Sequence, residues 1–450
     1  MALFDAVIPG GRGCTAPASC PSGAATARDA QVANAAARAH RGRQVAGAAV
    51  GLALLASLVL AAPLGRLRDP LVLVLVLPPL AAALDALGWS RMAATGLRKV
   101  RSPLARAMGA YAVWLATSAL LTLDVAAVAA ASVGLSVGGR RSAERDVQLG
   151  AAIVGANVGS LLFPFSNLTN LVLLVGAGIS FRAYVETALW PQLATALGAG
   201  AVLLWRSRRR LAAEPSTQAV ADTPRRAAAG APSETAIPGT ALALAPDVED
   251  ASPIPSGRAA GLAGAIVLVG AALAVLAGFR GADIAAVFAV TAALVAALAV
   301  GDGQIRARAL ARSIPVAGVV VILGAALLGG PMAALAAHLP APALATPTIP
   351  VLVAVALVGG GLAALANNLP AAAFGAVWLV GARPELVVAY LVGTNVLALL
   401  TPHGSLATLL SRAVAARGGH ELPRGPYLRT AWRFALVGAA AALAALALIG

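Results

Sequence analysis

Two apolar stretches of the sequence are each interrupted by a proline with polar neighbours. Around Pro164 lie four side chains with hydroxyl or amide groups: Ser166, Asn167, Thr169 and Asn170. Around Pro402 lie a glycine and three hydroxyl side chains: Thr401, Gly404, Ser405 and Thr408. Hydroxyls and amides donate and accept hydrogen bonds without carrying charge. These two groups therefore predict the two sides of a binding site for a small polar solute.

Four further amides and two ionisable side chains lie inside other apolar stretches or breaks. The amides, which we assign to the same substrate-binding set, are Asn157, Asn367, Asn368 and Asn395. A carboxylate deep in a membrane is costly and usually functional, which singles out Asp124. Desolvation favours its protonated form and predicts a proton-coupling role; a structural carboxyl bonded to an amide or a helix end is the alternative. His403 is the second proton-coupling candidate, with hydrogen bonding or packing as its alternative.

The composition defines the environment of these groups. Of the 450 residues, 60% are hydrophobic and 11% are charged, and the mean hydropathy is +0.85, which excludes a water-soluble fold. Aromatic residues amount to 4%, while alanine, leucine, valine and glycine dominate, as in closely packed helices and not in a β-barrel. We therefore predict an all-α, multi-pass protein of the cell membrane, in contact with the lipid bilayer.

Changes in composition predict four regions. Residues 1–44 and 206–258 are polar and rich in small residues, and we predict a disordered cytoplasmic tail and a disordered cytoplasmic linker. Residues 45–205 and 259–450 contain apolar stretches of about 20 residues, the length that crosses a bilayer, and are predicted to form two transmembrane repeats.

Each predicted repeat contains a long apolar piece with a polar centre and an interrupted span. Residues 104–137 and 350–380 are the long pieces, and each is either two short spans or a re-entrant hairpin. Residues 148–179 and 386–410 are the interrupted spans. Irregular backbone at membrane depth leaves N–H and C=O groups unpaired unless it lines a polar cavity walled by protein. Two breaks therefore indicate a binding site, and kinked but continuous helices are the alternative.

Similarity between the halves supports an internal duplication. Placing Asn157 on Asn395 also aligns further identical pairs: Val158/Val396, Leu161/Leu399, Leu162/Leu400, Pro164/Pro402, Leu168/Leu406 and Leu171/Leu409. Basic residues mark the cytoplasmic side, and most of them lie in the tail, the linker and the loops on their side. This distribution predicts inverted repeats, a cytoplasmic N-terminus and an outer C-terminus. The net charge of +15 reflects that topology and requires no nucleic-acid partner.

Cys14 and Cys20 are the only cysteines of the sequence, and both precede the first predicted span. A thiolate metal site inside the membrane is therefore excluded, and we predict neither a metal nor a cofactor. The signatures of zinc proteases, serine hydrolases and phosphate-binding loops are missing from the sequence, so we do not expect an enzyme.

Three motifs resemble the arsenite/antimonite efflux permeases of the ion-transporter superfamily, which also contains dicarboxylate/sodium symporters. The motifs are LTPHGSLATLL at 400–410, SNLTNL at 166–171 and NNLP at 367–370. The resemblance implies an elevator-like transporter in which two re-entrant hairpins and two unwound helices surround the substrate. It also implies metalloid–proton antiport and allows a cytosolic ATPase subunit as partner; a homodimer is left open. The chain departs from the family at Leu123, where an asparagine commonly precedes the aspartate, and at His403, where an aliphatic residue is usual.

The first functional hypothesis is proton-coupled efflux of arsenite or antimonite. Arsenous acid is mostly uncharged at neutral pH, so hydroxyls, amides and helix ends can bind it without burying an ion. The alternative is a sodium- or proton-coupled carrier of organic anions of the dicarboxylate or citrate type, or a sodium/proton antiporter.

Overall fold

A computed structural model describes residues 23–61, 65, 68–137, 142–213, 257–314, 316–327, 329–339, 346–417 and 424–449. Within these ranges the regular structure is helical and contains no strand, which confirms the all-α class. Six helices in them have the length and hydropathy to cross a bilayer: Arg68–Ala86, Phe181–Ala213, Arg258–Phe279, Ile284–Gly301, Ile349–Ala366 and Ala431–Ile449. A helix pairs its own backbone N–H and C=O groups, as a hydrocarbon environment requires.

The helices are numbered in chain order. The first half contains α1 (Gly23–Ala61), α2 (Arg68–Ala86), α3 (Trp89–Arg98), α4 (Pro103–Leu120), α5 (Leu123–Val137), α6 (Ser142–Gly159), α7 (Leu168–Ala177) and α8 (Phe181–Ala213). The second half contains α9 (Gly257–Phe279), α10 (Ile284–Gly301), α11 (Ala307–Arg312), α12 (Val316–Leu327), α13 (Gly329–Ala336), α14 (Ile349–Ala366), α15 (Asn368–Trp378), α16 (Pro384–Leu391), α17 (Leu406–Arg417) and α18 (Arg424–Ile449).

The first helix extends into the segment predicted to be a disordered tail. Residues 23–44 continue α1, and this corrects the prediction for that part; residues 1–22 lie outside the described residues. The physical reason is composition, because alanine-rich sequence has high helix propensity and prolongs a helix that the span has already nucleated.

The predicted linker also begins later than expected. α8 continues to Ala213. Arg210, in the last turns of α8, forms an ion pair with Asp146 of α6. Residues 214–256 lie outside the described residues, and residues 257 and 258 already belong to α9.

The connections between helices gather at two opposite ends of the bundle. At one end Arg210 pairs with Asp146; we call it the linker end, because α8 leaves for the linker there. At the other, the far end, Arg68 pairs with Asp283 and joins the start of α2 to the start of α10. Connections that charge assigns to the same side of the membrane thus lie at the same end.

Both long apolar pieces form helical hairpins, and their re-entrant character stays a prediction, because α14 alone has the length to cross a bilayer. α4 and α5 form the first hairpin, which opens at the linker end, where Arg106 donates to the Val137 carbonyl. α14 and α15 form the second hairpin, which opens at the far end, where the Gly381 N–H donates to the Ala177 carbonyl. The hairpins enter from opposite ends, as expected of inverted repeats.

Both interrupted spans are broken helices. α6 ends at Gly159, and a 3₁₀ turn at Pro164–Ser166 separates it from α7. α16 passes into a π-turn at Val392–Val396 and a 3₁₀ turn at Leu397–Leu400 before α17 begins at Leu406. Continuous kinked helices are thereby excluded.

Each hairpin contacts both broken helices. The first hairpin packs on α6 and, through α5, on α17; the second packs on the π-turn and, through α15, on α7. A Cβ on Gly155 would lie 2.6 Å from the Tyr111 carbonyl oxygen, and a Cβ on Gly393 would lie 2.1 Å from the Ala356 carbonyl oxygen. The two glycines occupy the same position in the predicted alignment, and each permits close approach to its own hairpin.

Candidate functional site

The first break satisfies several of its own backbone groups. The Asn167 side chain accepts from the Thr169 N–H at 3.1 Å and thereby caps α7. Asn170 Nδ2 and Ser166 Oγ each donate to the Ser160 carbonyl at 2.6 Å. These side chains are buried. The polar residues predicted from sequence thus stabilise the unwound backbone.

Asn395 connects the two halves at the first break. It lies in the π-turn, a distortion that occurs frequently at functional sites. Its Oδ1 accepts from Thr169 Oγ1 at 2.9 Å and from Asn167 Nδ2 at 3.1 Å. Its Nδ2 donates to Asn170 Oδ1 at 2.7 Å. Four predicted site residues therefore meet in one buried cluster.

Asn157 and Ser405 form the matching contact at the second break. Ser405 Oγ donates to Asn157 Oδ1 at 3.0 Å, and Asn157 Nδ2 donates to the Ile153 carbonyl at 2.9 Å. In the predicted alignment this is the counterpart of the contact between Asn395 and Asn167. The same crosswise bond between a first half-helix and the opposite break therefore occurs twice.

A chain of hydrogen-bonded residues links the two breaks. It runs from Asn395 through Asn170 to the Ser160 carbonyl. Ser160 Oγ donates to the Asn157 carbonyl at 2.9 Å, and the Asn157 side chain accepts from Ser405. The two breaks therefore belong to one polar site.

Thr408, in the first turn of α17, is buried, and its hydroxyl has no hydrogen-bond partner within the described residues. It corresponds to Asn170 in the predicted alignment. Asn170 accepts a hydrogen bond from Asn395. The counterpart of Asn395 is Asn157, which donates to the Ile153 carbonyl, so the Thr408 hydroxyl receives no such bond. Ser118, near the end of α4, and Ser90, in α3, have buried hydroxyls of this kind as well. An unpaired buried hydroxyl costs about 1–3 kcal/mol, a cost that a bound solute would remove.

The tip of the second hairpin closes on the second break. Asn367 has a φ of 91°, an uncommon conformation for a residue with a Cβ. Its Nδ2 donates to the His403 carbonyl at 2.8 Å, and its Oδ1 accepts from the Leu369 N–H at 3.3 Å. The Asn368 N–H donates to the Gly404 carbonyl at 2.9 Å. Strained backbone held by such bonds clusters at functional sites.

His403 and Thr401 contact the first arm of the second hairpin. His403 Nε2 lies 2.7 Å from the Ala364 carbonyl oxygen, a contact that needs a proton on this nitrogen. Thr401 Oγ1 lies 3.4 Å from the same oxygen. This geometry gives His403 a hydrogen-bonding role, and its proton-coupling role stays a prediction.

The tip of the first hairpin lies against both broken helices. Ala126 and Ala127 of α5 pack with Ala156 of α6 and with Ala407 of α17. Asp124 is the second residue of α5, and its side chain lies outside the described part of the structure. Both hairpin tips thus reach the breaks.

Four helix N-termini converge around the breaks, those of α5, α7, α15 and α17. α7 begins at the Asn395 cluster, α5 and α17 meet at Ala407, and α15 begins beside Gly404. Each N-terminus carries a partial positive charge, although protein groups already bond part of the N–H groups of α5, α7 and α15. The hydrogen bonds described at the two breaks involve no lysine or arginine side chain. The site therefore favours oxygen atoms or negative charge through backbone dipoles.

Metal ligands are scarce in the described ranges, which hold no cluster of three or more His, Cys, Asp or Glu side chains. A cation at the breaks would have to be held by hydroxyl, amide and carbonyl oxygens. Such ligands suit hard cations and do not suit thiophilic metals.

Three residues of the site escape prediction from sequence. Gln192 of α8 is 3% exposed; it donates to the Val158 carbonyl at 2.9 Å and accepts from the Leu161 N–H at 3.0 Å. Tyr184 donates to the Leu161 carbonyl at 2.6 Å, and Thr394 is buried in the π-turn. These bonds satisfy the end of α6. A single amide inside an otherwise apolar span is the signal that could have revealed Gln192.

Comparison with known proteins identifies the fold. The chain is similar to the crystal structure of the YdaH transporter of Alcanivorax borkumensis, described as having an unusual topology, with a TM-score of 0.51 and 16% identity over 88% of this chain and 86% of that chain. Neither a family profile nor a curated protein matches the sequence. This chain is a polytopic all-α membrane protein with a transporter fold. At this identity the likeness concerns the fold alone, and membership of the arsenite/antimonite family stays a prediction.

Proposed function

We propose that this protein is a secondary active transporter that binds its solute between the two breaks and moves it across the cell membrane by an elevator-like motion. The hydrogen-bond chain from Asn395 to Ser405 is the observation that carries the proposal, because it joins the broken helices of both halves. Non-helical backbone persists at membrane depth where it lines a polar site, and paired half-helices are how many carriers build one.

Arsenite or antimonite is the substrate we propose first. The motif resemblance supports it, and so does the neutral chemistry of the site. The buried hydroxyls of Thr408 and Ser118 have no protein partner in the described residues and are suited to the hydroxyl groups of arsenous acid. Because the cysteines precede the first span, transport would not involve thiolate capture.

A small organic anion is the second candidate, and the converging N-termini of α5, α7, α15 and α17 favour it. Four partial positive charges attract a carboxylate more strongly than a neutral solute. Sodium, held by hydroxyl and carbonyl oxygens, or protons would then drive transport.

Proton coupling is assigned in this proposal to Asp124, at the tip of the first hairpin, with His403 as the second candidate. The concentration of arginines supports a cytoplasmic position for the linker end. The cytosolic ATPase subunit and the homodimer remain predictions.

Everted membrane vesicles containing the protein test the substrate. We expect arsenite uptake that increases when the vesicle interior is acidified, and no uptake of succinate driven by sodium. The opposite pattern would establish the second candidate. Absence of both, with folded protein in the vesicles, would contradict both proposals.

Asp124→Asn should abolish the dependence of arsenite uptake on the pH gradient while arsenite exchange continues. Retained dependence on the pH gradient would exclude the Asp124 carboxylate as the proton-coupling group.

Thr408→Val tests the site itself. Since the Thr408 hydroxyl has no partner in the described residues, its removal should not lower the thermal midpoint of the purified protein. Loss of one hydrogen bond to the solute should raise the KM of uptake about three- to tenfold. Thr291→Val is the matched control, because the Thr291 hydroxyl bonds only to the Val287 carbonyl of its own helix among described contacts. Equal KM values in the two variants would exclude Thr408 from the site.

A further inference from the structure

An apolar cleft of about 430 Å³ lies between α1, α2, α11 and α12, and its lining contains none of the polar residues of the two breaks. Its walls include Val50 and Ala61 of α1, Leu71 of α2 and Val319 of α12. The polar side chain in its lining, Ser57, donates to the Leu54 carbonyl at 2.6 Å and is satisfied there. The cleft therefore offers hydrocarbon contact and no hydrogen-bonding site for a polar solute.

The cleft follows α1 over about three helical turns. From Val50 to Ala61 the α1 wall rises about 16 Å at about 1.5 Å per residue. The hydrocarbon core of a bilayer is about 30 Å thick. Because the lining also includes Leu71, one turn after Arg68, the cleft extends from the linker end towards the far end. It begins at the linker end, because Gly47, one turn before Val50, lies against Ala297 near the end of α10.

Basic side chains lie beside the α11 residues of the cleft lining, at the linker end. Arg308 and Arg312 of α11 are exposed and follow directly the lining residues Ala307 and Ala311. Arg43 lies nearby, with its Cδ and Nε about 3.0 Å from the position of a Cβ on Gly303, in the turn before α11.

The balance of charge at this end of the cleft is positive. Asp302 is the acidic residue of the turn, against the three arginines Arg43, Arg308 and Arg312. Guanidinium groups bind phosphate oxygens through paired hydrogen bonds, and basic pockets between membrane helices hold anionic headgroups.

We propose that this cleft binds an anionic phospholipid, with one acyl chain between α1, α2 and α12 and the headgroup phosphate at Arg308 and Arg312. An acyl chain supplies the apolar surface that the walls require, and its attached phosphate lies at the depth of the arginines. A soluble anion would leave the cleft empty, and a neutral lipid would leave the arginines without a counter-charge.

Native mass spectrometry of the purified full-length protein tests the proposal. We compare dioleoyl phosphatidylglycerol with dioleoyl phosphatidylcholine, which differ in headgroup charge and not in acyl chains. The wild type should retain phosphatidylglycerol preferentially. Arg308→Ala/Arg312→Ala should lower that affinity about tenfold or more, since each arginine near an anionic surface contributes about 1 kcal/mol. Arg280→Ala/Arg383→Ala removes the same charge at the far end and should change nothing.

A second variant tests the apolar part. Ala53→Phe places a ring in the cleft from an exposed wall position and should remove the retained lipid, whereas the thermal midpoint without lipid should stay unchanged. Equal lipid retention by wild type and Ala53→Phe, or equal loss in the two double-arginine variants, would overturn the proposal. A dimer that carries no lipid would also overturn it, because a second copy would then cover the cleft.

Discussion

At the scale of residues, the polar side chains of the breaks bond mainly to the protein itself. Asn167 caps a helix, and Asn170 and Ser166 pair a freed carbonyl. Among the described residues, Thr408 beside the second break has a buried hydroxyl without a protein partner, as do Ser118 of α4 and Ser90 of α3. In the proposed site, the residues that stabilise the unwound backbone therefore differ from the hydroxyl proposed to bind the solute.

Asn395→Ala should destabilise the first break strongly. The change leaves Asn167, Thr169 and Asn170 each without one partner, and a buried unsatisfied group costs about 1–3 kcal/mol. We expect a lower thermal midpoint and loss of transport. Thr291→Val, a buried polar change outside the breaks, serves as control. A midpoint for Asn395→Ala equal to that of the control would show that the cluster adds no stability.

At the scale of elements, the site depends on close approach between broken helices and hairpins. The first arm of each hairpin lies against a glycine of its broken helix, Gly155 in one half and Gly393 in the other. With these contacts in place, the hairpin tips reach the breaks, and four helix N-termini come together. Any side chain at these glycines would separate the elements that form the site.

Gly393→Ala should impair transport by this route. The added Cβ would lie 2.1 Å from the Ala356 carbonyl oxygen, so α14 must move away from the π-turn. Gly361→Ala is the matched control on α14, because a Cβ there meets no atom within 4 Å. We expect a lower thermal midpoint and slower uptake for Gly393→Ala, and no loss for Gly361→Ala. Identical behaviour of the two variants would refute the role of the contact.

At the scale of the whole molecule, two hairpins enter from opposite ends and meet both breaks near the middle. The connections group into a linker end and a far end, and the arginines concentrate at the linker end. By the positive-inside rule, we expect the arginine-rich linker end to face the cytoplasm.

Labelling of single cysteines tests that orientation. In a background with Cys14→Ser and Cys20→Ser, we introduce Arg280→Cys at the far end or Arg308→Cys at the linker end. A membrane-impermeant maleimide added to intact cells should label the first variant. It should label the second only after the cells are permeabilised. The reverse pattern would invert the topology.

Much of the candidate site could be predicted from sequence because its signals are local. Pro164 and Pro402 interrupt apolar runs, and polar groups in lipid are conspicuous wherever they occur. Gln192 escaped prediction because one amide on a long helix does not reveal that it pairs the end of another helix. Residues 23–44 were predicted to be disordered because the segment is polar and rich in small residues. They are helical because an alanine-rich segment is stable once it continues a packed span.

The sequence by itself determined the membrane environment, the helical class, the positions of the two breaks and their duplication, since each follows from composition and order along the chain. The tertiary structure decided that Asn395 bonds to the first break and that Ser405 bonds to the end of α6. It also decided which hydroxyls remain unpaired. Crosswise contacts between inverted halves depend on how helices pack in three dimensions, and no local pattern specifies them.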